Sequence, residues 1–194
     1  MSRPRRLAAP LVYLDSCIFI EVIKGVTHAG GDHEDKFESC LQILRDFEQG
    51  ACRLVMSELV YTETFHHGEA KLTDRRYSRH ARGATLEAAS DLIDGWFRRP
   101  EIIRVEVHQE IAEGARRLAL RHKLDSHDAV HLVTAQDEGC ESFVTLDQKL
   151  IERVEGVELG LKVVLPSMER DGQTSLDIPG QQRLRVIAGD GNAS

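Results

Sequence analysis

The sequence predicts an α/β fold with three layers, α/β/α, built on a five-stranded parallel sheet. Five short apolar runs, several of them rich in β-branched residues, are typical of buried strands. Between them lie longer stretches in which apolar residues recur every three or four positions, the spacing of amphipathic helices. Strands that alternate with helices form βαβ units, and such units build parallel sheets.

The elements follow in order along the chain. Strands are predicted at 11–14, 53–57, 102–107, 142–146 and 162–165. Helical spacing is found at 37–47, 86–97, 111–119 and 129–133. The glycine-containing stretch Gly25–Gly31 predicts a loop between two helices, and Pro100 ends the helix before the third strand because proline cannot continue a helix.

Length and composition predict one domain with a tail. The chain has 194 residues, of which 41% are hydrophobic and 29% charged, the balance of a soluble globular protein. Residues 1–166 are predicted to form the domain, and the glycine-rich stretch 167–194 a flexible C-terminal tail. No apolar stretch reaches the roughly 18 residues of a membrane span, so no membrane partner is predicted.

The cysteines and the net charge exclude some classes of protein and restrict how a nucleic acid would bind. The four cysteines include no C-x-x-C pair, which argues against a zinc ribbon or a thioredoxin-like redox site. Reduced thiols are expected in the cytoplasm, the predicted location. The net charge is −7, so a nucleic acid would have to be bound by local basic patches.

Acidic residues stand where the predicted strands end. Asp15 follows the first strand and Asp147 the fourth, while Glu63 and Asp128 lie on helices expected near the same edge. Four carboxylates in one cleft would repel one another unless a cation sat between them. Mg²⁺ takes oxygen ligands and keeps room for a phosphate, and it can activate a water. The pattern therefore predicts metal-assisted hydrolysis of a phosphodiester.

Each acid also has a simpler interpretation. Asp15 and Asp147 would serve as N-caps of the helices that follow them, and Asp128 as a partner of a helix dipole. Glu63 would be a surface residue of its helix. Spacing alone leaves these alternatives open.

Three segments resemble the PIN-domain nuclease family. They are YLDSCIFIE at 13–21, VMSELVYTETF at 55–65 and HDAVHLVTAQDEGCESFVTLDQKL at 127–150. The third is the most specific, and the resemblance extends over about residues 11–166. It implies a PIN-like fold, Mg²⁺ or Mn²⁺ as cofactor, and cleavage of single-stranded RNA. Many members are toxins of toxin–antitoxin pairs and form dimers, which implies an antitoxin protein and a homodimer as partners.

The resemblance also assigns the site. It makes Asp15, Glu63, Asp128 and Asp147 the catalytic acids. We expect Asp15, Asp128 and Asp147 to hold the metal, with Glu63 binding through water or positioning the attacking hydroxide. The supporting residues are Ser16, Thr145 and Asp125, the last as a spare acid for a second ion. Glu63 is preferred to Glu58 because it aligns with the family's acid inside the helix.

A basic run is the predicted nucleic-acid contact. Within 71–82 it contributes Lys71, Arg75, Arg76, Arg79 and Arg82. Such residues bind phosphates without sequence choice. The alternatives are a solvated helix face and a contact with an acidic partner protein.

The histidines leave one further alternative open. His127 and His131 have the i, i+4 spacing of a zinc-protease helix, with Asp128 in place of its usual glutamate, which shortens the catalytic base. The other interpretation packs His131 under the sheet with a hydrogen bond and places His127 near the cleft. The function predicted overall is a metal-dependent endoribonuclease, with a catalytically silent PIN-like RNA- or protein-binding module, or a DNA nuclease, as the alternatives.

Overall fold

A sheet of five parallel strands forms the centre of the molecule. The computed structural model of the chain describes residues 9–27, 34–73, 91 and 94–166. The strands are β1 (Leu11–Leu14), β2 (Arg53–Ser57), β3 (Ile103–Val105), β4 (Ser142–Val144) and β5 (Lys162–Val164). Their order across the sheet is β3-β2-β1-β4-β5, and every neighbouring pair is parallel. The predicted fold class is confirmed.

Helices connect the strands and cover the sheet. They are α1 (Ser16–Thr27), α2 (Glu34–Glu48), α3 (Glu58–Thr73), α4 (Gln109–His122), α5 (Ser126–Asp137) and α6 (Gln148–Val154). The connections through α1–α3 step across the sheet towards β3, and those through α4–α6 step towards β5. Because such crossovers are right-handed, the two sets of helices cover opposite faces, which gives the three layers.

Burial on both faces explains why the central strands are so apolar. Val12, Tyr13 and Phe143 are each fully buried, and the rings of Tyr13 and Phe143 stack with centroids 5.2 Å apart. Parallel strands covered on both sides show continuous rather than alternating hydrophobicity. On one face α4 and α5 approach closely at Gly114, where an added Cβ would lie 2.9 Å from Val133 Cγ1.

The elements differ from the sequence predictions mainly at their ends. Helix α1 continues to Thr27, so Gly25 lies in a helix and not in the predicted loop, whose residues 28–31 are outside the described part of the chain. One glycine inside a helix is tolerated at a cost of about 1 kcal/mol. The third strand is shorter than predicted, and the fourth ends at Val144. Of the predicted helix at 86–97, residue 91 and the segment 94–97 are described and helical.

Residues 167–194 lie outside the described part of the chain, so the predicted tail and domain boundary stay predictions. Within the described ranges, we find no helix with both the length and the apolar character needed to cross a bilayer.

The strand order creates a crevice between β1 and β4. From β1 the chain proceeds to β2 and β3 on one side, whereas β4 and β5 extend the sheet on the other. Loops that leave β1 and β4 therefore diverge at their carboxyl ends. Ligands of open parallel sheets bind at such a switch point.

Candidate active site

Asp15 occupies the carboxyl end of β1 and is held from several directions. Its backbone N–H donates to the carbonyl of Val144 at 3.1 Å, which ties it to the end of β4. Its carboxylate is largely buried and accepts from Thr145 Oγ1 at 2.6 Å, from Cys17 Sγ at 3.2 Å and from Ser16 Oγ at 3.3 Å. Neighbouring hydroxyl and thiol groups therefore fix the orientation of this acid.

Asp147 lies at the same edge and is connected to Asp15 through Thr145. Its backbone N–H donates to Thr145 Oγ1 at 3.0 Å, so that one hydroxyl contacts both acids. Its carboxylate accepts from the amides of Lys149 and Leu150 as the N-cap of α6. Asp147 thus caps a helix, as the simpler interpretation has it, and lies at the crevice as well.

Glu63 reaches the site from α3 and is held by two histidines. Its Oε2 lies 3.0 Å from His131 Nε2, and its Oε1 lies 2.9 Å from His127 Nδ1. Burial by itself would raise the pKa of Glu63, but hydrogen bonds and charges from His131, Ser16 and His127 outweigh it and lower the pKa. Ligand atoms of Asp15, Glu63 and His131 all lie within 4.8 Å of one another.

Asp128 lies in the first turn of α5 and has a raised pKa. Burial raises its pKa, and the charges of Asp15, Asp147 and Asp125 raise it further, to about 6. In the part of the chain that the structure describes, we find no lysine or arginine paired with Asp15, Asp128 or Asp147. Within the described residues, the charged neighbours that act on Asp128 are the carboxylates of Asp15, Asp147 and Asp125, which raise its pKa, and His131, which lowers it.

This donor set suits a hard divalent cation. Carboxylate oxygens are the ligands that Mg²⁺ and Mn²⁺ prefer, and a cation here would relieve the repulsion that, in addition to burial, raises the pKa of Asp128. Asp128 and Asp147 do not share the tight set formed by Asp15, Glu63 and His131. Waters commonly complete the coordination of Mg²⁺, so direct contact with every acid is not required.

The remaining predicted site residues have different positions. Asp125 is the N-cap of α5 and accepts from the amide of His127 at 3.0 Å. Glu58, the rival of Glu63, is exposed at the start of α3 and lines a neighbouring cavity of about 820 Å³. Lys71 lies on α3, but its side chain is outside the described residues, as are Arg75, Arg76, Arg79 and Arg82.

Sequence reasoning missed some of the residues that hold the acids. It placed His131 under the sheet with a hydrogen bond, which the structure shows, but it did not identify Glu63 as the partner. It gave no role to Tyr13, Ser57 or Cys17. The signal that was available is the pair of histidines on either side of Asp128, since residues four apart share a helix face.

Comparisons with known proteins identify the family and support the fold. The family model described as PIN domain matches residues 12–157. The structure of the Mycobacterium tuberculosis toxin VapC20, described as cleaving the sarcin–ricin loop, superposes with a TM-score of 0.50 at 16% identity, covering 72% of this chain and 92% of that one. VapBC2 of Rickettsia felis, solved with a DNA fragment from its promoter, superposes with a TM-score of 0.50 at 12% identity, covering 81% and 99%.

At these identities the likeness shows the fold alone. A comparison with curated protein sequences gives no match. The family model, in contrast, covers most of the chain and includes all four acids at the crevice. The chain belongs to the PIN domain family.

Proposed function

We propose that the chain is a Mg²⁺- or Mn²⁺-dependent endoribonuclease that hydrolyses phosphodiester bonds of single-stranded RNA in the cytoplasm. One observation carries the proposal: acids from separate elements converge at the crevice between β1 and β4, where burial and the charges of Asp15, Asp147 and Asp125 raise the pKa of Asp128. A half-buried group in a cleft, with a pKa shifted by burial and by specific neighbours, is a candidate for function.

Each residue has a role in this proposal. Asp15, Asp128 and Asp147 hold the metal, and Thr145 and Ser16 keep Asp15 in the orientation that binding requires. The bound metal would supply charge neutralisation on the scissile phosphate and a water of lowered pKa.

Glu63 orients the attacking water through its carboxylate. It is anchored by His127 and His131 on the side of α5. A fixed hydrogen-bond acceptor favours in-line attack because it removes the freedom of the water to point elsewhere.

Our proposals that the substrate is RNA and that the partners are an antitoxin and a second copy of the chain rest on the resemblance to the PIN-domain family. The basic run at 71–82 is proposed to bind the phosphates of the substrate. We further propose that the chain is the toxin of a toxin–antitoxin pair, acting as a homodimer and inhibited by an antitoxin protein.

The test is cleavage of a labelled single-stranded RNA with Mg²⁺, with Mn²⁺ and with EDTA. We expect cleavage with either metal, none with EDTA and none by Asp15→Asn. Single- and double-stranded DNA run in parallel; preferential cleavage of DNA would make the protein a DNA nuclease. Calorimetry with Mn²⁺ separates the remaining alternative, because a silent binding module need take up no metal.

The toxin role has its own test. Expression in a bacterial host should arrest growth, and Asp15→Asn should not. Co-expression of the product of an adjacent small reading frame should restore growth. Growth arrest that persists in Asp15→Asn would contradict a toxicity that depends on nuclease activity.

A further inference from the structure

Behind Glu63 lies a buried chain of hydrogen bonds that the proposed chemistry does not use. Tyr13 of β1 is completely buried, yet it is a polar residue in the centre of the sheet. Its hydroxyl donates to Ser57 Oγ at 2.8 Å and accepts from the Ser57 amide at 3.1 Å. The same hydroxyl lies 2.8 Å from His131 Nδ1.

His131 links this buried hydroxyl to the site. Its side chain is 2% exposed, and its Nε2 contacts Glu63 Oε2 at 3.0 Å. A carboxylate can only accept, so Nε2 carries the proton of that hydrogen bond. The other ring nitrogen, Nδ1, lies 2.8 Å from the hydroxyl of Tyr13, so both ring nitrogens have a hydrogen-bond partner.

The two histidines that contact Glu63 are therefore not equivalent. The side chain of His127 is 60% exposed, and it rests on the surface of α5. His131 is enclosed and is anchored through Tyr13 to Ser57 at the end of β2. A hydrogen bond from an enclosed, anchored donor fixes the position of its acceptor much more firmly than one from an exposed side chain, which water competes for.

Burying polar side chains costs free energy unless each of them has a hydrogen-bond partner. Unpaired polar groups in the interior are destabilising, and apolar side chains of similar volume would fill the space without that requirement. Hydrogen bonds connect Ser57 to Tyr13 and Tyr13 to His131. The last contact, from His131, is with Glu63, the candidate catalytic acid on α3. This series of hydrogen bonds therefore supports the position of the Glu63 side chain.

We propose that Tyr13 and His131 are positioning residues that fix the carboxylate of Glu63 for its role towards the attacking water. The inference rests on the proposed nuclease function and adds residues to it. Partners that orient a functional group from behind typically change activity by about 10- to 100-fold when removed. The loss should appear in kcat, while KM for RNA and the affinity for Mn²⁺ stay unchanged, because both side chains are buried behind Glu63.

The test compares Tyr13→Phe, His131→Leu and His131→Gln with wild type. Tyr13→Phe keeps the ring and removes the hydroxyl, and we expect kcat to fall about 10-fold. His131→Leu should lower kcat by about 10- to 100-fold. His131→Gln should recover most of the activity, since its amide N–H₂ can donate to Glu63 from nearly the position of the imidazole Nε2–H.

A matched control separates positioning from folding. Val12→Ala removes buried volume next to Tyr13 in the same strand, and successive side chains of a strand point to opposite faces. This variant should lower the melting temperature without lowering kcat. Near-ultraviolet circular dichroism of all variants checks that each is folded.

The outcomes are distinct. Wild-type protein that fails to cleave RNA overturns the proposed function and this inference with it. Active wild type with Tyr13→Phe and His131→Leu at full kcat overturns the positioning role alone. Loss of Mn²⁺ affinity in His131→Leu that glutamine does not restore makes His131 a metal ligand, which also overturns the positioning role.

Discussion

The strand side and the helix side of the crevice hold their acids by different means. On the strand side, neutral hydroxyl, thiol and amide donors surround Asp15 and Asp147. On the helix side, Glu63 faces two histidines, and Asp128 has its pKa raised to about 6 by burial and neighbouring carboxylates. The strand side is thus organised by hydrogen bonds within the fold, whereas the helix side has surplus negative charge that a cation would balance.

The largest expected effect comes from removing the charge at the centre of the strand side. Asp15→Asn keeps the shape of the side chain and removes its negative charge. Metal catalysis contributes several kcal/mol, so we expect cleavage of RNA to fall by at least about 1,000-fold. Single-turnover assays on a labelled RNA measure this loss.

Glu58→Gln is the matched control, because Glu58 is an exposed carboxylate at the start of α3. Its activity should equal that of wild type. A comparable loss in Glu58→Gln would make Glu58, rather than Glu63, the acid contributed by α3.

The next largest effect is expected from removing the hydroxyl of Thr145, which contacts both Asp15 and Asp147. Thr145→Val removes the donor to Asp15 and the acceptor for the amide of Asp147 while keeping a β-branched side chain. We expect a loss of about 1–3 kcal/mol in the free energy of unfolding and about 10- to 100-fold in kcat. Thr145→Ser keeps the hydroxyl and should restore both, and a Thr145→Val protein with normal kcat would contradict this role.

On the helix side, removing an acid should raise the stability of the protein, whereas Thr145→Val should lower it. We expect Asp128→Asn to abolish metal binding. In EDTA at pH 7, however, it should stabilise the protein by about 1 kcal/mol, a figure that allows for screening at a half-buried group. The raised pKa of Asp128 means that its charged form destabilises the folded state.

The pH dependence tests this sign. Above about pH 6 Asp128 is ionised in the fold and the full penalty applies. As the pH falls from 6 towards 4, the folded state binds the proton first, and the stability difference between wild type and Asp128→Asn should shrink towards zero. Uptake of Mn²⁺ by wild type should weaken over the same interval. A stability difference that does not vary with pH would contradict the assignment.

The smallest effect concerns the cap of α5. Asp125→Ala should reduce the free energy of unfolding by about 1 kcal/mol because the N-cap is lost, and Asp125→Ser should largely preserve it. Both variants remove a charge that raises the pKa of Asp128, so an NMR titration should show that pKa moving down in each. An unchanged pKa would mean that burial and the other acids account for the shift.

Local patterns in the sequence were sufficient for the architecture. Apolar runs separated by amphipathic stretches predicted all five strands, because strand burial and helix spacing are properties of short segments. The ends of the elements were less accurate, as at Gly25 and Thr145, because termination depends on contacts with other parts of the chain.

The sequence by itself determined the fold class, the family and the placement of Asp15 and Asp147 at strand ends, since chain order and periodicity encode these features. The tertiary structure alone decided which groups hold the acids. Thr145 is 130 positions from Asp15, His131 is 68 from Glu63, and Ser57 is 44 from Tyr13. Hydrogen bonds across such separations depend on the order and register of the strands, which no local pattern specifies.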